Sequence, residues 1–503
     1  NFFVVPLDDR RHWYRYHHLF AEVLRVHLVA DLPEQVPTLH GRASDWYEQH
    51  GAVNDAIHHA IAAQDFERAA GLIERAIPQI RRTRHESTLL GWLRELPDEL
   101  VRGRPILSAH YAWVLLAQGE MDGVETRLLD AEQALDRLEK ENKRPQERMI
   151  EIASAKEEEV RRLPGTIAIY RSGRSLALGD VHATVRYAQQ ALELSSEEDH
   201  LQRGAAAALL ALVGWSHGDL KEATRFYPES IERLQRAGHI TDALGCTLSL
   251  VDILITQGHL REAMSTYRQG LELAMAHGGL VLRGAADMHV GMSELYREQN
   301  DLEAATQHLL KSREFGEFTG LPQNRYRWRV AMARIREAQG EFDSALELLS
   351  EAEHLYMSDF SPKVRPVTAL KTRAYLAQGR LDEGLAWVHT RGLSASDTLS
   401  YLHECEHITL ARVLLAEYRR DKADRALQEA TDLLDRLSRR RKQRKEWEAR
   451  SKSWCCRHWH TRCGATFMLR LLRCSTRWHW LNRKATPACS WTKAPPWPNC
   501  CAK

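Results

Sequence analysis

Residues 240–277 read ITDALGCTLSLVDILITQGHLREAMSTYRQGLELAMAH. Within 241–257 the apolar positions Ala243, Leu244, Leu248, Val251, Ile253, Leu254 and Ile255 cover a wide stripe, which predicts a helix buried between neighbours. Beyond Gly258, the segment 260–277 places Leu260, Ala263, Tyr267, Leu271 and Ala274 at spacings of three and four, which predicts a partner helix. Gly258 ends the first helix because that position needs a left-handed backbone, which costs glycine nothing.

The phrase at this junction returns along the chain: a breaker, a polar residue, an apolar residue, two polar positions and usually Ala. It reads Gly119-Glu120-Met121, Gly179-Asp180-Val181, Gly218-Asp219-Leu220, Gly258-His259-Leu260, Asn300-Asp301-Leu302, Gly340-Glu341-Phe342 and Gly379-Arg380-Leu381. From the second phrase onward the steps are 39, 40, 42, 40 and 39 residues. A regular period of this size marks stacked supersecondary units. The polar residue caps the second helix or meets its positive end, and the Ala lets the two helices approach closely. The predicted fold class is therefore all-α: a right-handed α-solenoid of ~40-residue tetratricopeptide-like helix pairs. The interval from Gly119 to Gly179 is 60 residues, and its excess, the charged stretch 139–162, predicts an extended or exposed helical insertion.

Composition agrees. Ala, Leu, Glu, Arg and Gln, which lose least on entering a helix, dominate from about residue 40 to 440. Ten Lys or Arg and no acid in 451–503 leave the first 450 residues at −8, against +2 for the whole chain. So mildly acidic a body has no global attraction for nucleic acid. Seven of nine cysteines fall after position 450, and such thrift in the body fits a reducing compartment. With no run of 18 apolar residues and no leader pattern, the expectation is a cytoplasmic protein without a membrane contact. A chain opening at Asn1 in mid apolar run is expected to lack sequence upstream.

Residues 1–30 do not follow the repeat. Phe2–Val5 and Trp13–Tyr16 are strand-like about the turn at Asp8-Asp9, and His18–Leu28 turns helical, as in the closing hairpin of a small domain. The run Pro6-Leu7-Asp8-Asp9, then Trp13-Tyr14-Arg15-Tyr16-His17-His18-Leu19-Phe20, Leu39-His40, Ala43, Trp46-Tyr47 and Ala56-Ile57-His58-His59-Ala60 closely resembles the MalT-like large ATP-binding regulators of the LuxR family. Trp92-Leu93, Leu96-Pro97 and Arg104-Pro105 continue the likeness, which spans roughly residues 1–440. The resemblance implies the end of a winged-helix domain at 1–30, a helical linker at 31–104 and a tetratricopeptide-like repeat sensor at 105–447. It also implies an inducer-binding sensor that governs ATP-dependent self-association. The chain holds no G-x-x-x-x-G-K-[ST] phosphate cradle and no recognisable helix-turn-helix. ATP is thus expected only in an upstream module, and DNA contact only through a C-terminal helix-turn-helix outside these residues.

Residues 448–503 change character, with six of the fourteen Trp after position 450. Cys455, Cys456, His458, His460 and Cys463 are zinc-ligand types, yet no paired C-x₂-C spacing occurs. A reading-frame error is the favoured account: with permitted codons, Lys452–His460 read from the third base gives Ile-Leu-Val-Leu-Gln-Ala-Leu-Ala, an ordinary repeat helix. The tail is then expected to be disordered.

No signature gathers a nucleophile with its base, so no enzyme is expected. His17-His18 and His58-His59 lack an apparent third metal ligand, and Arg439–Lys445 reads as a solvated helix end. No metal site is assigned. In such arrays the first helix of each pair lines the concave side. The first helices offer Tyr111, Trp113, Tyr170, Arg174, Trp215, Tyr296, Arg325, Tyr326, Trp328, Arg329 and Tyr375 as effector-binding candidates. Aromatic rings beside Arg suit a sugar-like or anionic small molecule, or a peptide; filling gaps between helices is the competing role. Two functions stand at this point: the effector-sensing and protein-interaction region of an ATP-dependent activator that can self-associate, or a stand-alone scaffold for a protein partner.

Overall fold

The computed structural model describes residues 3–6, 14–142, 150–276, 284–315, 321, 323–356 and 361–443. The cysteine- and tryptophan-rich tail lies outside the described residues. At the N-terminus β1 (Val4–Pro6) pairs antiparallel with β2 (Tyr14–Tyr16), Val4 opposite Tyr16. Four helices follow: α1 (His18–Asp31), α2 (Gln35–Gln49), α3 (Val53–Ala62) and α4 (Phe66–Thr83). Next come α5 (Glu86–Glu95), α6 (Asp98–Gly103), α7 (Pro105–Gln118), α8 (Met121–Asn142), α9 (Ile150–Ala177) and α10 (Val181–Leu194). Then come α11 (His200–His217), α12 (Leu220–Arg236), α13 (Ile240–Gln257), α14 (Leu260–Ala276), α15 (Ala285–Glu298) and α16 (Leu302–Glu314). The last six are α17 (Asn324–Gln339), α18 (Phe342–Leu355), α19 (Val367–Ala377), α20 (Leu381–Arg391), α21 (Glu404–Asp421) and α22 (Asp424–Gln443).

The fold is an α-solenoid of tetratricopeptide-like pairs, as the period predicts. Every breaker has a left-handed backbone: φ is +80° at Gly119, +77° at Gly179 and Gly218, +90° at Gly258, +85° at Gly340 and +77° at Gly379. Asn300, the single non-glycine in the series, adopts +63°, which its short polar side chain tolerates. Two of the acidic residues that follow act as caps: Asp180 accepts from the Ala183 N–H at 3.0 Å and Asp219 from the Glu222 N–H at 3.2 Å. The 60-residue interval is absorbed by helix, since α8 and α9 run to 22 and 28 residues.

Two compact units are present. The first comprises Asn1–Arg297, Leu302–Ile335 and Glu351–Lys363. Within it α7 pairs with α8, α9 with α10, α11 with α12, and α13 with α14. In the first helix α13 Ala243, Leu244, Val251 and Ile253 are fully covered. Second helices bury one face, as Ala223, Tyr227 and Leu234 do in α12. The second unit comprises Glu298–Asp301, Arg336–Ser350 and Val364–Lys503, and its core joins Leu410, Leu414, Ala430, Leu433 and Leu434 of α21 and α22. Among the described helices one, Ile240–Gln257, is long and apolar enough by composition to cross a membrane, and two thirds of it is buried against its neighbours.

Candidate functional site

The site grows from α4, which lies ahead of the regular repeats. Asp65 caps the helix by accepting from the Arg68 N–H at 3.1 Å, and Ala69, Ile73, Ile77 and Ile80 bury its apolar face. The helix stops where Arg84 turns left-handed at φ +58°, its N–H bonded to the Ile80 carbonyl. Arg81 and Arg82 in the last turn face the negative end of the helix dipole. α4 packs on α7 and its end also reaches α13, far along the repeats.

Side chains from four helices meet there. Arg81 stands 5.7 Å above the ring of Trp113 on α7, a cation–π contact. His110, on the same helix, shares a 3.1 Å hydrogen bond between its Nδ1 and the Tyr170 hydroxyl of α9. Its ring meets those of Trp113 and Tyr170 edge-on at 6.3 and 6.0 Å. Glu159 Oε1 lies 3.8 Å from His110 Nε2. Arg84 bridges to Glu86 at 3.0 Å and, across the seam, to Asp242 of α13 at 3.5 Å. Asp242 in turn takes His239 Nδ1 at 3.1 Å.

Burial, then the nearby Arg81 charge, hold His110 well below its ordinary pKa, so the imidazole is neutral. Burial pushes the Tyr170 hydroxyl up, with Arg81 opposing. Burial would raise Asp242 as well, but Arg84, the His239 hydrogen bond and Arg81 outweigh it and keep the carboxyl below its usual range. The cluster therefore brings two guanidinium groups and the carboxyl groups of Asp242, Glu86 and Glu159 beside neutral aromatic walls. Such walls and charges suit the holding of a ligand; no nucleophile–base pair is assembled among them.

Of the sequence-predicted residues, Trp113 and Tyr170 come together here. Tyr111 sits under Arg127 at 4.5 Å, and Arg174 approaches Glu125 at 3.8 Å. Trp215 is 2% exposed, inside the α11–α12 pair. Tyr296 stacks on His308 at 5.1 Å. The Trp328 indole N–H donates to the Leu309 carbonyl at 2.9 Å. Arg329 pairs with Glu351 at 2.7 Å, and its guanidinium also donates to the carbonyl of exposed Arg325 at 3.3 Å. Tyr326 meets Tyr356 edge-on at 5.2 Å. Tyr375, in the second unit, lies under Arg380 at 4.5 Å. Sequence reasoning missed Arg81, Arg84, His110, His239 and Asp242. A basic cluster closing an amphipathic helix was the one available signal for the first two.

His40 and His59 approach at 2.7 Å and His289 and His308 at 2.9 Å, each through Nδ1. Among the described residues no three metal-ligating side chains converge. Arg436 and Arg440, in or beside the basic run, donate to backbone carbonyls of the 395–399 loop.

Paired helices at a forty-residue period, behind a short hairpin and helix, define a tetratricopeptide-type repeat protein. Residues 165–454 match the family described as MalT-like TPR region, and residues 1–36 match the MalT winged helix domain. The chain belongs to the MalT-like TPR family. The HTH-type transcriptional regulator MalT of Vibrio campbellii is 25% identical over 441 residues, covering 84% of this chain and 45% of that protein. MalT of Serratia proteamaculans is 27% identical over 271 residues, 54% of this chain and 28% of its own length. The serine/threonine-protein kinase PknK of Mycobacterium tuberculosis is 34% identical over 137 residues, 26% of this chain and 12% of the kinase. The chain thus spans less than half the length of these relatives. Among solved structures, a signal transduction ATPase with a tetratricopeptide repeat sensor from Pyrococcus horikoshii aligns at 12% identity with a TM-score of 0.44, over 87% of this chain and 57% of that one.

Proposed function

We propose that this chain is the effector-sensing and protein-interaction region of an ATP-dependent LuxR-family transcriptional activator of the cytoplasm. The observation that carries the reading is the succession, within one chain, of a MalT-type winged-helix match and a MalT-type repeat match. In this reading residues 1–30 close the winged helix, 31–104 link it to the repeats, and 105–447 sense. ATP and target DNA are handled by other segments of the regulator, and the repeats perform no chemistry. A small molecule or a protein would be received where α4, α7, α9 and α13 converge, because a contact there touches both the linker and the repeats. An element touched by both can pass a binding event from one to the other.

The test is amide hydrogen exchange on the full chain, with size-fractionated small molecules from a bacterial extract. A fraction that slows exchange in α7, α9 and α13 is the expected outcome. If no fraction alters exchange there while the helical circular dichroism stays intact, the sensing role is wrong.

A further inference from the structure

Arg81 is half-buried, yet apart from the face of Trp113 its guanidinium has no hydrogen-bond or ion-pair partner among the described residues. A guanidinium offers five N–H donors in a planar fork that matches a carboxylate or phosphate. Arg84, three residues on, is held left-handed at the helix end. It reaches Glu86 at 3.0 Å and Asp242 at 3.5 Å.

We propose that this seam is a site for the anionic group of a small ligand, a carboxylate or phosphate clasped by Arg81 and Arg84 against Trp113. The proposal rests on the sensing role and names the chemistry of its ligand. The Trp113 ring lies 5.7 Å from the Arg81 guanidinium carbon. Tyr170 and His110 supply a neutral wall, and His110 stays uncharged, so the cationic pull comes from the two arginines. Asp242 is the built-in competitor: an arriving anion takes its place on Arg84 and releases the ion pair that ties the end of α4 to the repeat helix α13. Glu86 keeps its own contact with Arg84 and Glu159 remains beside His110, so the seam favours a compact anion over a bulky polyanion.

The experiment titrates the full chain with inorganic phosphate and, separately, succinate at constant ionic strength set by chloride. It follows Tm together with amide exchange at the end of α4. Wild type should show a saturable stabilisation with each anion. R81Q should lose about tenfold or more in apparent affinity, the scale of a charge-assisted hydrogen bond, and R81K, which keeps charge without the fork, should fall between. D242N should bind several-fold tighter, because the competitor no longer holds Arg84; a purely structural Asp242 would give weaker binding. Absence of a saturable response to both anions, an equal response in R81Q, or weaker binding in D242N overturns the proposal. If anions fail while a neutral extract fraction still slows exchange in α7 and α9, sensing survives and the anion site falls; if nothing slows it, both fail.

Discussion

Helices α1 and α13 are both rich in aliphatic residues, yet they meet opposite fates. In α1 no residue is buried: Leu19, Val23, Val26 and Val29 are 60, 52, 68 and 58% exposed. In α13 Val251, Ile253 and Leu254 are 0, 0 and 3% exposed. The difference is in the neighbours. α13 has α12 on one side and α14 on the other, so its stripe is covered from two directions. α1 makes ring contacts with the hairpin, where Phe20 meets Phe3 at 4.6 Å and Tyr16 at 5.5 Å. Apolar content therefore does not make a core in this protein; stacking of successive units does, and each unit depends on the next.

Breaking that contrast should produce the largest effect. Ile253→Ala removes a fully covered side chain from α13 and should cost about 3 kcal/mol, whereas Val26→Ala in α1 should stay within about 0.5 kcal/mol. Urea midpoints of the two variants measure the gap, and equal midpoints would refute the stacking account. Filling space should cost somewhat less. A Cβ at Gly291 of α15 would fall on the ring and hydroxyl of Tyr267 from α14, and Tyr267 is itself only 2% exposed. Gly291→Ala should therefore destabilise by about 2 kcal/mol. The companion Gly270→Ala, whose Cβ would meet Met288 Sδ at 2.8 Å, should cost less because the thioether can move.

The same contrast separates what the sequence carried from what it did not. The turns were legible because a left-handed backbone demands Gly or Asn, and those residues recur on schedule at Gly179, Gly218, Gly258, Asn300 and Gly340. The pairing of neighbours followed from the period. The seam was not legible, because Arg84 and Asp242 are 158 positions apart. Their meeting depends on how far each unit rotates against the last, a small angle set by packing at every interface and encoded in no single motif. Trp113 and Tyr170 could be picked as first-helix aromatics, but their juxtaposition through His110 needed the superposition of α7 on α9. Trp215 carried the same sequence signal and went to the core.

Interior and rim should also part company in their response to acid. Burial first, then the His308 and Lys311 charges, lower His289 to about 4, and burial with Arg81 depresses His110. An unfolded histidine takes its proton near 6.5, so between that value and about 4 the unfolded chain binds protons that the folded one refuses. Stability is then complete above pH 6.5 and falls as the pH drops toward 4. Urea midpoints between pH 7.5 and 5 should decline, and His289→Phe should flatten the decline. An unchanged slope in that variant would mean that His289 is not excluded from charging by its setting.

The contrast reaches even the helix ends, where the smallest effect is expected. α1 opens on His17 with no side-chain hydrogen bond, whereas α12 opens on Asp219, whose carboxylate takes the Glu222 N–H at 3.2 Å. Four amides at a helix start have no partner within the helix, and a side-chain oxygen that satisfies one of them steadies the first turn. Asp219→Ala should cost about 1 kcal/mol, and Asp219→Asn, which keeps the acceptor, should cost little. The loss should appear first as faster exchange at the Glu222 amide, because an exposed turn opens locally before the stack does. If Asn were as harmful as Ala, the carboxylate would be acting through its charge on the helix dipole, and added salt should then erase the difference between wild type and Ala.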